Sequence, residues 1–411
     1  MAIASAPHWS ESVEVAAFRD ARRAASLIAA TGCSEAGLKI MMRKGLPLAI
    51  AVREVPLRSA ILIKQEAISS GGDAAYSAEV APLRADRTDV VILTSPRSLG
   101  RLLAKLDMQP FGLKRLASAI RSLDIPKATD FRLTARGKEL PLGARTYVMG
   151  ILNATPDSFS DGGLHFKEKD AISHALSMIS EGADIIDIGG ESTRPGSEPV
   201  PADEEKRRVL GIVRRLVAGT DALISVDTTK PEVAEACLEA GAHMINDVSG
   251  LAAGPKLAQL CASAGAALVI MHMRGTPETM GSMCIYSNLL KEINDFFDEK
   301  IRTAISSGVD RAKIILDPGV GFAKDYSQNL FLLRHLESFR IHSKPILIGA
   351  SRKGSVGKAT DSPDTAGRLE GTLAVSALCA WAGVDIIRVH DTKENKKAIM
   401  MAEAIRSADY V

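Results

Sequence analysis

Aromatic residues make up only 4% of this 411-residue chain, so its core must be aliphatic, as in helices layered on a parallel sheet. The five cysteines, Cys33, Cys237, Cys261, Cys284 and Cys379, are odd in number, scattered and without a CxxC pair. That excludes a disulfide scaffold and a cysteine-ligated zinc site, and it suits a reducing compartment. No apolar run approaches the roughly 18 residues of a membrane span; one of the longest is Ala266 to Met271. Glu11, Glu14 and Asp20 stand in an N-terminus that lacks a basic stretch followed by an apolar one, so neither a signal nor a transit peptide is read there. The cytoplasm is the expected address. Charge of one sign is lacking too: Lys+Arg number 51 and Asp+Glu 49, a formal +2. Up to residue 130 there are 18 basic and 13 acidic residues, and beyond it 33 and 36, with no basic run interleaved with aromatics. A nucleic-acid partner is therefore not expected.

What is present is organised in two parts. A proline-containing polar stretch, Ile125 to Thr129, marks a boundary, giving an accessory domain over 1–127 and a second domain over 128–411. In the first, the opening forty residues look helical. Strands are expected at Leu46 to Val52, Ala74 to Leu83 and Asp89 to Thr94, and helices at Pro56 to Ser70, Pro96 to Leu106 and Phe111 to Leu123. This is a small α+β domain without recognisable chemistry. Its Gly71-Gly72-Asp73 lacks the Lys-Ser/Thr pair of a phosphate loop and reads as the end of a helix.

After a hairpin pattern from Arg132 to Leu142, short β-branched runs alternate with helical stretches. The runs begin at Tyr147, Asp184, Leu223, Met244, Ala267, Ile314, Pro345 and Ile386. Eight strand–helix units within residues 146–411 fit the ~250 residues of a (β/α)8 TIM barrel. A doubly wound open sheet is the alternative, but no GxGxxG follows the first strand. Polar residues gather at the strand ends: Asn153; Glu191, Thr193 and Arg194; Asp227; Asn246; His272; Asp317; Ser351 to Lys353; Arg388 and His390. Such convergence on the catalytic rim of a barrel would be costly to bury without a ligand. The first loop, 153–163, mixes glycine, proline and polar groups around Phe159 and reads as a lid, and Thr193-Arg194-Pro195-Gly196 reads as a second loop.

Eight segments in order, NATPDSFSDGG at 153–163, DIGGESTRPG at 187–196, SVDT at 225–228, INDVSG at 245–250, MHMRGTPETM at 271–280, DPGVGFAK at 317–324, GASRKG at 349–354 and RVHD at 388–391, resemble dihydropteroate synthases. The resemblance implies condensation of 6-hydroxymethyl-7,8-dihydropterin pyrophosphate with 4-aminobenzoate, giving 7,8-dihydropteroate and pyrophosphate. It implies that Asp317 and Asn246 accept from the pterin's amino and N3–H edge while Lys353 donates to O4. Asp227 would stabilise the delocalised cation, and Met271, Phe322 and Gly349 would line the pterin slot, although Met271 equally suits barrel packing. Arg388 and His390 would hold pyrophosphate, with Asn153 an oxygen ligand of Mg²⁺. Phe159, Asp161, Thr193, Arg194 and Pro195 would complete the aminobenzoate site. Where many members carry serine after the SRK lysine, this chain has Gly354, whose backbone N–H can still meet an anion although the hydroxyl contact is lost. A homodimer through barrel helices is implied as well. Two other readings stay open: a methyltetrahydrofolate:corrinoid methyltransferase, which would not need Ser351 to Lys353, Arg388 to His390 and the Phe159 lid together, and a non-catalytic pterin binder.

Overall fold

A computed structural model describes residues 48–80, 86–122, 131–154, 164–191 and 199–408. The chain divides between Leu123 and Asp124 into two compact units; the stretch around Ile125 to Thr129 and the expected helix in the first forty residues lie outside the described residues.

In the first unit, β1 (Leu48–Pro56) and β2 (Asp73–Tyr76) flank β3 (Arg87–Thr94), all antiparallel. Burial alternates along β3, with Thr88, Val90, Ile92 and Thr94 facing in, the period that a half-covered sheet requires. Helix α1 (Leu57–Ser69) buries Ser59, Ala60, Ile63 and Ala67. Gly71, at φ +86°, turns the chain out of it while Gly72 N–H donates to Ala67 O, a glycine C-terminus rather than a phosphate loop. Helix α2 (Pro96–Leu106) starts on Ser95, whose side chain accepts from Ser98 N–H at 3.2 Å, and α3 (Leu113–Ser122) follows. The long strand or hairpin arm expected from Ala74 to Leu83, of which 81–83 lie outside the described residues, stops at Tyr76. There the Thr88 hydroxyl, not a ladder carbonyl, takes the Ser77 N–H, and the chain enters a 3-10 turn at Ala78–Val80.

The second unit opens with a hairpin, β4 (Phe131–Ala135) and β5 (Lys138–Leu142). Arg136 and Gly137 both take positive φ, as a two-residue turn between right-twisted strands demands. Eight parallel strands follow: β6 (Tyr147–Asn153), β7 (Ile185–Gly189), β8 (Leu223–Asp227), β9 (Met244–Asp247), β10 (Ala267–Met271), β11 (Ile314–Asp317), β12 (Leu347–Ile348) and β13 (Ile386–Val389). Each pairs with its neighbour in chain order, and β13 pairs with β6. The seam between β11 and β12 is a single parallel bridge, Leu316 to Ile346, with Leu316 N–H donating to Pro345 O. The strand expected from Pro345 shrinks to two residues: proline brings no amide to the ladder, and the Ile346 N–H goes to Asp385 Oδ2 at 2.8 Å. The sheet is thus a barrel.

Its helices are α4 (Leu164–Ser180), α5 (Ala202–Gly219), α6 (Pro231–Glu239), α7 (Lys256–Ala264), α8 (Leu289–Ser306), α9 (Tyr326–Arg334), α10 (Gly354–Ala359), α11 (Leu369–Trp381) and α12 (Thr392–Ser407). Outward strand residues such as Val148, Ile186, Ile224, Ile245, Ile270 and Ile387 pack beneath them. Inward residues near the strand starts, among them Tyr147, Met149, Ile185, Met244 and Ile386, form a second cluster with Leu133, Ala135, Leu140 and Leu142 of the hairpin. The hairpin therefore floors the barrel. It is tied there by Tyr147 Oη donating to Pro141 O (3.0 Å) and Arg136 Nη1 donating to Leu238 O (2.6 Å).

Candidate active site

Strand side chains alternate between faces, so a residue two positions after an inward apolar one also faces in. Ile185 is followed in this way by Asp187, Met244 by Asn246, Ile315 by Asp317, Ile386 by Arg388, and Leu223 by Ser225 and Asp227. The interior accordingly changes from apolar at the floor to charged at the strand ends. Asp187, Asn246 and Asp317 are all buried.

Two clusters form there. In one, Arg388 spans two carboxylates, its Nε 2.6 Å from Asp187 Oδ2 and its Nη2 2.7 Å from Asp227 Oδ2. Asn246 Nδ2 donates to the same Asp187 oxygen at 2.9 Å. Burial pushes the Asp227 carboxyl up to about 7 although Arg388 pulls it down; burial also opposes the charge of Arg388, which its carboxylates raise nonetheless. The Asn246 Oδ1 is buried without a protein partner. In the other, Asp317 Oδ1 accepts from Gly319 N–H at 2.7 Å, and Lys353 donates from Nζ to Val320 O while lying 4.3 Å from the Phe322 ring centroid. Burial lowers Lys353 to about 8 against the pull of Asp317, and it raises the Asp317 carboxyl against the pull of Lys353.

Met271 and Phe322 meet in one apolar wall with Val248, Met280 and Ala323, so Met271 both packs and faces the site. Gly349 lies against Arg388, 3.8 Å separating its would-be Cβ from the arginine Cβ. His390 is oriented by Ser351, whose Oγ is 3.0 Å from its Nδ1. Gly354 begins α10, and nothing lies within 4 Å of where its Cβ would be. Asn153 ends β6 at the same rim, half-buried. Phe159, Asp161, Thr193, Arg194 and Pro195 lie outside the described residues.

Arg352, in the same SRK run, faces elsewhere: it is bound to Asp391, and its N–H donates to Thr372 Oγ1. Two residues that sequence reasoning overlooked complete the picture. Asp187 joins Asn246 to Arg388; its only signal is a carboxylate in phase with Ile185 on an inward face. Lys324 is buried and donates to Gly319 O (3.0 Å), Phe322 O (3.0 Å) and His272 Nδ1 (2.9 Å), holding the loop that carries Phe322. A side chain on Gly319, at φ +71°, would strike the His272 carbonyl oxygen. The loop therefore presses against the end of β10.

The barrel mouth thus combines the Asp317 carboxylate and the Lys353 amine, an orphaned amide oxygen, an arginine between carboxylates and an apolar wall. The model of the family described as pterin binding enzyme matches residues 149–390. A dihydropteroate synthase of Synechocystis is 45% identical over 263 residues, which cover 64% of this chain and 91% of that protein. The Escherichia coli enzyme of that name is 43% identical over 277 residues, 67% of this chain and 97% of its own. The chain belongs to the dihydropteroate synthase family. Among solved structures, a Yersinia pestis dihydropteroate synthase with a sulfonamide drug complex superimposes at TM-score 0.64 with 44% identity, covering 67% of this chain and all of that one. The Xanthomonas albilineans dihydropteroate synthase in complex with 7,8-dihydropteroate gives 0.61 and 39%, covering 68% and 100%. A probable bifunctional folylpolyglutamate synthase/dihydropteroate synthase of Haloferax volcanii is 38% identical over 362 residues, 86% of this chain and 42% of that protein. That likeness is longer than the barrel unit and so runs into the N-terminal one.

Proposed function

We infer that the barrel mouth condenses 6-hydroxymethyl-7,8-dihydropterin pyrophosphate with 4-aminobenzoate to 7,8-dihydropteroate and pyrophosphate. The observation that carries this is the buried Asn246 Oδ1 without a protein partner, beside a slot that also offers Asp317, Lys353 and the Met271–Phe322 wall. A pterin presents two adjacent donors, the 2-amino group and N3–H, to acceptors, and presents O4 to a donor; the flat ring lies on the apolar wall. Asp317 and Asn246 take the donors and Lys353 the oxygen.

In the reaction, the aminobenzoate nitrogen forms a bond to the exocyclic methylene, the carbon–oxygen bond to pyrophosphate breaks, and that electron pair leaves with pyrophosphate. The amine proton is lost to solvent. Departure of pyrophosphate leaves positive charge delocalised into the ring, and the ionised Asp227 stabilises it. Arg388 and His390 lie at the pyrophosphate end. Magnesium offsets the charge of the leaving group when it is bound. Among the described residues no cluster of three or more His, Cys, Asp or Glu side chains is arranged for a metal. The Asn153 side-chain oxygen at the end of β6 would hold such a hard cation, an oxygen donor being the kind magnesium takes. Phe159, Asp161, Thr193, Arg194, Pro195 and the start of α10 at Gly354 are assigned to aminobenzoate.

A second copy of the chain is the partner proposed for the paired helices α11 and α12. Leu378, Trp381, Met400, Met401 and Ile405 are exposed there, more apolar surface than a solvated helix pair needs. No described helix is long and apolar enough to cross a membrane, and the cytoplasm is the address proposed. The activity is tested by incubating the protein with Mg²⁺, the pterin pyrophosphate and labelled aminobenzoate. Labelled dihydropteroate with one pyrophosphate per product is expected; binding without turnover here, with methyl transfer from methyltetrahydrofolate to an added corrinoid in a parallel incubation, would reverse the reading.

A further inference from the structure

Asp187 does not face the solvent mouth, yet it touches two of the groups assigned to substrate. It is fully buried in β7, and its Oδ2 receives Asn246 Nδ2 at 2.9 Å and Arg388 Nε at 2.6 Å. An asparagine side chain has two chemically opposite ends that occupy the same space, and only the hydrogen bonds around it decide which end points where. Here the acceptor beneath Asn246 is a carboxylate, which takes only the amide nitrogen. The oxygen must then point away from Asp187, where it is buried without a protein partner. The arginine is fixed in the same way: Asp187 holds its Nε and Asp227 its Nη2, so the guanidinium plane is set by two strands at once.

We propose that Asp187 is a positioning residue of the condensation: it turns the Asn246 carboxamide so that its oxygen meets the pterin donors, and with Asp227 it sets the plane of the Arg388 guanidinium. The proposal rests on the pterin reading of the mouth given above. A second consequence is electrostatic. The charged groups that bear on Asp227 are Arg388 on β13, Asp187 on β7, Glu205 on α5, Asp247 on β9 and Lys353 before α10. Burial is the largest cause of the raised Asp227 carboxyl, Arg388 opposes it, and the negative charge of Asp187 adds to it. Neutralising Asp187 therefore eases ionisation of Asp227 and moves the acid limb of the rate profile to lower pH.

Two substitutions separate positioning from charge. Asp187→Ala frees the amide and leaves the guanidinium held by Asp227 alone. Asp187→Asn keeps an oxygen able to accept from Asn246 Nδ2 and Arg388 Nε but removes the charge. Pterin pyrophosphate affinity, measured by calorimetry on the full chain, should fall roughly 10- to 100-fold in Asp187→Ala, as loss of a hydrogen bond to a charged group predicts. It should recover to within about fivefold of the parent in Asp187→Asn, while the acid limb of kcat/KM in Asp187→Asn still moves down. Ser225→Ala, which alters another buried inward side chain on the neighbouring strand, should leave both quantities unchanged. Parental pterin affinity in a folded Asp187→Ala, or equal loss in Asp187→Asn and Asp187→Ala, would overturn the positioning role. If Asp187→Ala does not fold, a loss of pterin affinity well beyond fivefold in a folded Asp187→Asn overturns the positioning role on its own. A parent protein that binds no pterin at all would instead strike the functional reading, which keeps the two failures apart.

Discussion

Removing residues 128–143, and with them the hairpin, should unfold the barrel, whereas removing only the N-terminal unit should not. Leu133, Leu140 and Leu142 are 0%, 8% and 2% exposed, and they cover inward residues at the strand starts, Tyr147, Met149 and Ile185 among them. At about 1.5–3 kcal/mol per buried leucine, the three contribute roughly 5–9 kcal/mol, before the newly exposed floor is counted. Native domains are stable by only about 5–15 kcal/mol. Arg136 and Lys138 also donate to the Leu238, Thr220 and Ala222 carbonyls, so those acceptors would lose their partners. A fragment beginning at Ala128 should melt cooperatively and turn over; one beginning at Ala144 should scatter light and lack a cooperative melt. Within the intact chain, Leu133→Ala should cost about 2–5 kcal/mol. A soluble, cooperatively melting, active fragment from Ala144 would refute the floor argument. A folded but inactive fragment from Ala128 would show that something catalytically necessary precedes it.

The kcat/KM for pterin pyrophosphate should be bell-shaped in pH. The acid limb would come from Asp227, whose carboxyl is raised to about 7 and must be ionised, and the alkaline limb from Lys353, lowered to about 8 and required as a cation; a flat profile between about pH 6 and 9 would count against both roles. Lys353→Ala and Asp317→Ala each remove a charged hydrogen-bond partner of the pterin and should weaken its binding by about 2–5 kcal/mol, roughly 30-fold to several thousand-fold; calorimetry showing parental affinity in both folded variants would discard the slot assignment. Gly354→Ser has open space for its side chain and should lower the aminobenzoate KM roughly two- to tenfold, one net hydrogen bond of about 0.5–1.5 kcal/mol, with an unchanged or higher KM pointing to the loop rather than the hydroxyl. Asn153→Ala should chiefly damage turnover and raise the Mg²⁺ concentration needed for half-maximal rate, so an unaltered Mg²⁺ titration would remove Asn153 from the metal.

Much of this architecture could be read from sequence because a parallel barrel strand is buried on both faces and shows as an unbroken β-branched run. The runs at Ala267–Met271 and Ile386–Val389 coincide with observed strands. The site could be read for a related reason: in such runs Asn246, Asp317 and Arg388 are conspicuous interruptions. Asp187 interrupts its run too, but what gives it meaning lies far along the chain, 59 residues away at Asn246 and 201 away at Arg388. Periodicity within one strand cannot report such contacts. The misread strand after Ala74 has the same origin, since its end is set by Thr88 on the neighbouring strand. Lys324 escaped notice because a lysine in a loop is ordinarily solvated, and only the fold places three acceptors around its ammonium group.

The most direct measurement of the central claim is a crystal structure of the protein with pterin pyrophosphate and Mg²⁺. The account predicts the amino and N3–H edge of the ring within hydrogen-bond distance of Asp317 and the Asn246 oxygen, O4 at Lys353, the ring face on Met271 and Phe322, and the diphosphate toward Asn153 and His390. A pterin ring seated outside the strand ends, or reversed so that its donors face Lys353, would contradict it.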